Sequence, residues 1–444
     1  MDLLGTYFSR LRQRSLVRGR GRVIEATGQT IESEGPPCSV GECCEIRDSR
    51  GKMHAAEVIG LRGTGVVSMT LGAADGIRYG DPVSASGTIP CIEVGPGLIG
   101  RVLNAVGKPL DGGRRPVLET MVPLDRAAPN PFDREPIREP IGTGIRAIDG
   151  VLSAGRGQRL GIFGGSGVGK STLIGMMTRN TDADVIVVGL VGERGREVGE
   201  FLEESLGEEG KKRAVVLVST SDQSALLRMR AAMAATSVAE YFAGQGRNVL
   251  LVLDSLTRFA MAAREIGLAA GEPPTTRGYT PSVFSRLARL VERAGRFRTG
   301  SITAFYTVLM EGDDLQDPLV DAVRSYLDGH VVLSRALAAD GWYPPIDVIE
   351  SISRLMPLVV SDGHARAAGT LRRVLSSWAR SEDLVRIGAY KPGTDKDIDR
   401  ALEFLPAIRN YLAQSAKERE TPEGAGRRLL ELVASIEQGP MQRA

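Results

Sequence analysis

The chain has 444 residues, enough for two or three domains. Hydrophobic residues make up 42% and charged residues 25%, and the formal net charge is +2, so no global field recruits nucleic acid or an acidic partner. No apolar run approaches the ~20 residues of a membrane span, and charges interrupt residues 3–17 where a secretory leader would be apolar, so a cytoplasmic location is expected.

Residues 2–14 predict a short amphipathic helix, with Leu4, Phe8 and Leu11 on one face and Leu3 and Tyr7 beside them. Six arginines (Arg10, Arg12, Arg14, Arg18, Arg20 and Arg22) stand against a single acid, Asp2, in the first 22 residues. Such a helix either packs on its own domain or docks on a partner or an anionic membrane surface. Over residues 20–92, short β-favouring pieces alternate with Gly, Pro and Asp turns, which predicts a small β-barrel. Cys38, Cys43, Cys44 and Cys91 lack zinc spacing and read as reduced thiols. His54, His330 and His364 have no partner at metal-ligand spacing, so no metal site built from protein alone is expected.

Residues 109–140 are rich in Pro and Arg and read as an irregular connection. From about 141 to 360, apolar runs alternate with helical stretches: 160–163, 185–190, 214–220, 249–253, 302–308 and 330–333. Strands this uniformly apolar are buried on both faces, which predicts an α/β fold with a parallel sheet covered by helices. Beyond 363 the pattern is helical, with Ile398, Ala401, Leu405, Ile408 and Leu412, then Leu429, Val433 and Ile436, at helical spacing. The expected division is an amphipathic helix over 1–19, a barrel over 20–92, an α/β domain over 93–362 and a helical domain over 363–444.

The most informative stretch is LGIFGGSGVGKSTL (160–173). Gly164, Gly165, Ser166, Gly167, Val168, Gly169, Lys170, Ser171 and Thr172 follow the phosphate-binding loop pattern between an apolar run and a helix. A polyphosphate needs several backbone N–H groups aimed at one point, and small residues let the chain wrap that tightly. Lys170 reaches the outer phosphates, Ser171 can ligate magnesium, and a helix starting near Lys170 turns its positive end to the anion. The loop alone specifies a nucleoside triphosphate and nothing more.

Two acids extend the constellation. The apolar run 248–253 ends in Asp254, which fits the strand that carries a magnesium-organising aspartate. Glu193 follows the apolar run 185–190, where a hydrolase needs a carboxylate to orient the attacking water. On charge alone, Glu193, Arg194, Arg196 and Glu197 equally read as a solvated surface cluster.

The runs GGSGVGKST, GLVGERGREVGEF and WYPPIDVIESISRLMP (342–357) together resemble the catalytic, β-type subunits of rotary ATP synthases, and more closely the export ATPases of flagella and type III secretion systems. VGPGLIGRVLNAVGKPLDG, TTRGYTPSVFSRLARLVERAG and EGDDLQDPLVDAVRSYLDGHVVLSR agree, and the resemblance spans residues 20–415. It implies a RecA-like core that binds ATP with magnesium. It implies Glu193 as the catalytic carboxylate with Arg194 beside it, and Asp254 together with Ser171 on the magnesium. Arg258 is implied near the γ-phosphate, Tyr343 as an aromatic stacked on adenine, and Arg354 as an arginine finger reaching the neighbouring subunit's site.

Three related classes compete. The α-type, non-hydrolytic partner lacks the catalytic acid that Glu193 supplies. An ATP synthase β subunit fits the arginine-rich opening less well, and the block GRGQRLGIFGGSGVGKSTLIGMM is more similar to the export branch. An RNA translocase of the termination-factor type needs exposed aromatics on its barrel, and residues 20–92 hold only Tyr79, so no nucleic acid is expected. The resemblance implies a homohexamer, a stator-like regulator at the N-terminus, a coiled-coil stalk protein, export chaperones with their substrates, and a membrane export gate. The flagellar branch is preferred over the virulence branch.

Overall fold

A computed structural model describes residues 19–438 apart from Glu311, Asp313, Leu315 and Gln316. The helix expected over residues 2–14 lies outside the described residues.

Six strands close into a barrel: β1 (Arg20–Thr27), β2 (Thr30–Glu34), β3 (Cys43–Arg47), β4 (Met53–Arg62), β5 (Gly65–Thr70) and β6 (Pro82–Ala85), in the order β1-β2-β5-β4-β3-β6. Alternation sends Val23, Ile31, Cys44, Ile46, Ala56, Val58, Val66 and Val83 into one small core. Burial pushes the Cys44 thiol up to about 12, so it packs as an inert hydrophobe.

The connection read as irregular contains one short strand, and two more precede it. β7 (Cys91–Val94) and β9 (Thr120–Pro123) pair antiparallel, and β8 (Val102–Asn104) joins the edge of the central sheet. Sequence reading missed all three because segments of three or four residues give too little periodicity.

The central sheet runs β17-β16-β10-β15-β13-β11-β12-β8. Its further members are β10 (Arg159–Gly164), β11 (Val185–Glu193), β12 (Ala214–Thr220), β13 (Asn248–Asp254), β15 (Ser301–Leu309), β16 (Gly329–Leu333) and β17 (Ile346–Ser353), with β14 (Gly295–Arg296) paired to β15. As expected, the strands are parallel, save β14 and the edge strand β17, which run antiparallel. The first eight residues of β11 are all buried, as helices on both faces require.

The Ala-rich helix Ala225–Gly244 sits between sheet and barrel. Ser224 caps it by accepting from Leu227 N, and its hydroxyl donates to the barrel carbonyl of Leu71 at 2.8 Å. Arg230 on the same helix pairs with Glu57 of β4 at 2.6 Å, both largely buried. The C-terminal helices Asp362–Arg386, Lys396–Leu412 and Pro422–Gln438 pack on the short helix Arg146–Val151. There the Arg146 guanidinium donates to the Tyr411 and Ala413 carbonyls at 3.1 Å, satisfying the end of helix Lys396–Leu412. Among the described residues, no helix is long and apolar enough to cross a membrane.

Candidate functional site

Parallel strands with one direction place their carboxyl ends on one rim, and ligands of such sheets bind there. Gly164, Asp254 and Glu193 terminate β10, β13 and β11 on that rim, with β15 between the first two.

After Gly164 the loop turns through Gly167 (φ 77°) and Gly169 (φ 98°), left-handed conformations that a side chain would strain. Gly169 is the cap of the helix Lys170–Asn180 and offers no side-chain acceptor, so the first-turn amides keep their donors for a ligand. Lys170 is only 8% exposed, and its ammonium donates to the carbonyls of Gly164 at 3.1 Å and Gly165 at 2.6 Å. The charge is thereby held inside the loop. Arg335, just past β16, lies over Gly165, where a Cβ would collide with its guanidinium. Pro345 comes near Gly169, which sets the Tyr343–Pro344–Pro345 turn at the mouth of the loop. The Tyr343 ring is half exposed, and its carbonyl accepts from Gln414 N at 2.8 Å, which ties the turn to the C-terminal helices.

Asp254 is buried, and Thr307 Oγ1 of β15 donates to its Oδ1 at 2.6 Å. Burial raises the Asp254 carboxyl, against the lowering effects of Thr307 and of the Lys170 charge. Glu193 is the last residue of β11, at a register shift against β12 that follows Val191. Burial, then the Asp254 charge and Glu197, push its carboxyl up to about 8. Glu193 is raised by the Asp254 charge and Asp254 by that of Glu197, so the three acids form a site that a cation relieves. Among the described residues, no group of three or more His, Cys, Asp or Glu side chains could hold a metal ion without other ligands. The donors present, the Ser171 hydroxyl and the Asp254 carboxylate beside a phosphate loop, fit a magnesium ion whose remaining ligands come from a nucleotide and water.

Arg258 enters from the first turn of helix Leu256–Ala269, where Ser255 Oγ accepts its backbone N–H at 3.2 Å. Its side chain runs along Gly192, where a Cβ would sit 3.1 Å from Arg258 Cβ. The Arg258 Nε is buried and has no hydrogen-bond partner. An unsatisfied buried donor beside two carboxylates and a phosphate loop is a ready contact for an anion.

Two candidate residues stand apart. Arg194 is exposed and pairs with Glu197 Oε1 at 3.2 Å on the surface of helix Gly195–Glu200. Arg354 follows β17, whose Ser353 pairs with Gly329 at the start of β16, while His330 pairs with Gly161 of β10. That register sets Arg354 near the level of Leu160, about 13 Å down the strand from Gly164 and two strands, about 10 Å, across. Arg354 is exposed at that far end and cannot serve its own chain's loop. Thr307, Glu197 and Arg335 were not legible as site residues, because a threonine in an apolar strand and charges after strand ends carry no motif.

Residues 144–353 match the model of the ATP synthase alpha/beta family nucleotide-binding domain, and residues 360–431 match that of the T3SS EscN ATPase C-terminal domain. A flagellum-specific ATP synthase of Bacillus subtilis is 51% identical over 400 residues, covering 90% of this chain and 91% of that protein. A type 3 secretion system ATPase of Xanthomonas euvesicatoria is 47% identical over 420 residues, covering 94% of each. The structure of the assembled ATPase EscN from the enteropathogenic E. coli type III secretion system superposes with a TM-score of 0.89 at 43% identity, covering 93% of this chain and all of that one. The same ATPase in complex with its central stalk EscO gives a TM-score of 0.85 at 42% identity, with the same coverage. The chain belongs to the flagellar and type III secretion ATPases, a branch of the ATP synthase alpha/beta nucleotide-binding family.

Proposed function

We propose that the chain is a magnesium-dependent ATP hydrolase that energises protein export by a flagellar type III secretion apparatus, and that it acts as a homohexameric ring. The observation that carries the ring is the separation of Arg354 from the phosphate loop within one chain. A protein with both half-sites, on opposite ends of one sheet, completes its chemistry by circular assembly of identical copies.

In this reading the loop amides and Lys170 bind the triphosphate, and Tyr343 stacks on adenine. Ser171 and Asp254 hold magnesium, which when bound neutralises charge on the β- and γ-phosphates. Thr307 fixes the Asp254 carboxylate, and Glu193 orients the attacking water. Arg258 donates to the γ-phosphoryl oxygens from its own subunit. Arg354 of the next subunit meets the charge that develops on the transferring group, worth ~10³–10⁵ in rate. Arg194 steadies Glu197 beside Glu193.

We divide the chain into the N-terminal helix (1–19), barrel (20–92), ATPase domain (93–362) and helical domain (363–444). The N-terminal helix takes a stator-like regulator and contacts anionic lipid at the inner membrane, each basic residue near the surface adding about 1 kcal/mol. The ring encloses a coiled-coil stalk, as the central-stalk complex of the relative supports. The helical domain faces chaperones, unfolding substrates and the export gate from the cytoplasm.

Deleting the gene and scoring swimming together with secretion of filament subunits tests this function. Loss of both is the expected result. Intact motility with lost effector secretion assigns the chain to a virulence system instead, a reading favoured by the Xanthomonas relative.

A further inference from the structure

The Arg354 end of the sheet is a concavity of about 360 Å³ lined by Arg324, His330, Glu350, Ile352, Arg354 and Arg372, among others. Three guanidiniums thus face one carboxylate, Glu350. Among the described residues, neither Arg324 nor Arg354 has a carboxylate partner. Arg372 is held by backbone carbonyls of Val348 and Ser351 and serves the wall of the concavity. Among the described residues, the Arg324 side chain, from helix Pro318–Tyr326, has one hydrogen-bonding neighbour, its Nη2 lying 3.3 Å from His330 Nε2.

That contact is weak by construction. His330 Nε2 also lies 3.0 Å from the Glu350 carbonyl oxygen. A guanidinium only donates and a carbonyl only accepts, so Nε2 satisfies one of them at a time. When it donates to Glu350, Arg324 is released. Burial, then the charge of Arg324, lower the His330 pKa, so the ring stays neutral and the positive charge belongs to the arginines. His330 is fixed by edge-on packing against Phe163, at 5.6 Å, one residue before Gly164.

We propose that Arg324 is a second trans-acting cation, reaching with Arg354 into the neighbouring subunit's site to bind the polyphosphate. The inference rests on the reading of Arg354 as an arginine finger. An unpaired guanidinium beside the finger, on the same exposed end of the sheet, has the charge for that anion and, among the described residues, no ion pair to hold it back. The neutral histidine parks Arg324 without cancelling its charge.

The test uses full-length rings of Arg324→Ala and, as the milder change, Arg324→Gln, which keeps a donor toward His330 and removes the charge. Steady-state ATP hydrolysis is measured with Mg-ATP. Both variants are expected to lose at least about tenfold in turnover, the order of a lost electrostatic donor. Mixing either with Glu193→Gln chains, which keep Arg324, is expected to raise activity above the sum of the separate preparations. Turnover at the wild-type level overturns the proposal, as does a loss with no rescue on mixing, which marks a defect within the chain. Arg354→Ala is run in parallel: full turnover there overturns the finger reading itself, whereas a loss at Arg354 with none at Arg324 overturns this inference alone.

Discussion

The Thr307 hydroxyl donates to Asp254 Oδ1 at 2.6 Å across two neighbouring parallel strands. This bond offsets part of the cost of burying the Asp254 carboxylate. Thr307→Val keeps the shape and removes the donor, so Asp254 rises further and binds a cation less well. The expected effect is a higher magnesium concentration for half-maximal ATPase activity and a loss of about 1–2 kcal/mol in kcat/KM, near tenfold. Magnesium titration of the steady-state rate checks it; an unchanged half-maximal concentration removes Thr307 from the site.

Glu193 closes β11 on the same rim as the phosphate loop, and its neutral isostere keeps the shape of the pocket. Glu193→Gln is expected to bind ATP with near-normal affinity and to lose turnover by at least about 10²–10⁴, the scale of general-base catalysis. Equilibrium binding of a fluorescent ATP analogue and phosphate release are read on the same preparation. Normal phosphate release would take Glu193 out of the mechanism.

The same carboxyl carries a stability signature. Its pKa is about 8 in the folded chain, pushed up first by burial, whereas an unfolded glutamate ionises near 4.5. Between those values the native state binds the extra proton, so stability falls as pH rises through that window and is lowest above it. Glu193→Gln removes the titration. Without nucleotide or magnesium, its melting temperature should match wild type near pH 4, below the unfolded value, and exceed it at pH 8.5. Thermal melts at the two pH values decide this, and an equal difference at both would show that the glutamate is not strained by ionising.

The fold was largely legible because its strands are long, apolar and separated by helices, as 185–190 and 249–253 show. The phosphate loop was legible because its geometry admits few residues. What was not legible depends on register. Thr307 matters only because β15 lies beside β13 with its hydroxyl opposite Asp254. β17 escaped notice because an antiparallel edge strand in WYPPIDVIESISRLMP mixes exposed and buried residues without clean alternation. Arg354 reads as an ordinary surface arginine from its neighbours, and only resemblance singled it out.

Arg354 lies some four residues down the sheet from its own loop, so its contribution must come from a neighbouring copy. Arg354→Ala should therefore bind ATP with little change and lose ~10³-fold or more in rate. The defect should be rescued in trans. Arg354→Ala chains retain Glu193, and Glu193→Gln chains retain Arg354, so a mixed ring contains some interfaces with both groups. Activity of the mixture is expected to exceed that of either variant alone, and to vanish on dilution below the assembly concentration. Wild-type chains should show the same dependence of specific activity on protein concentration. A monomer active at full rate, or a mixture no better than its parts, would place the finger within its own chain, against the sheet register that keeps it away.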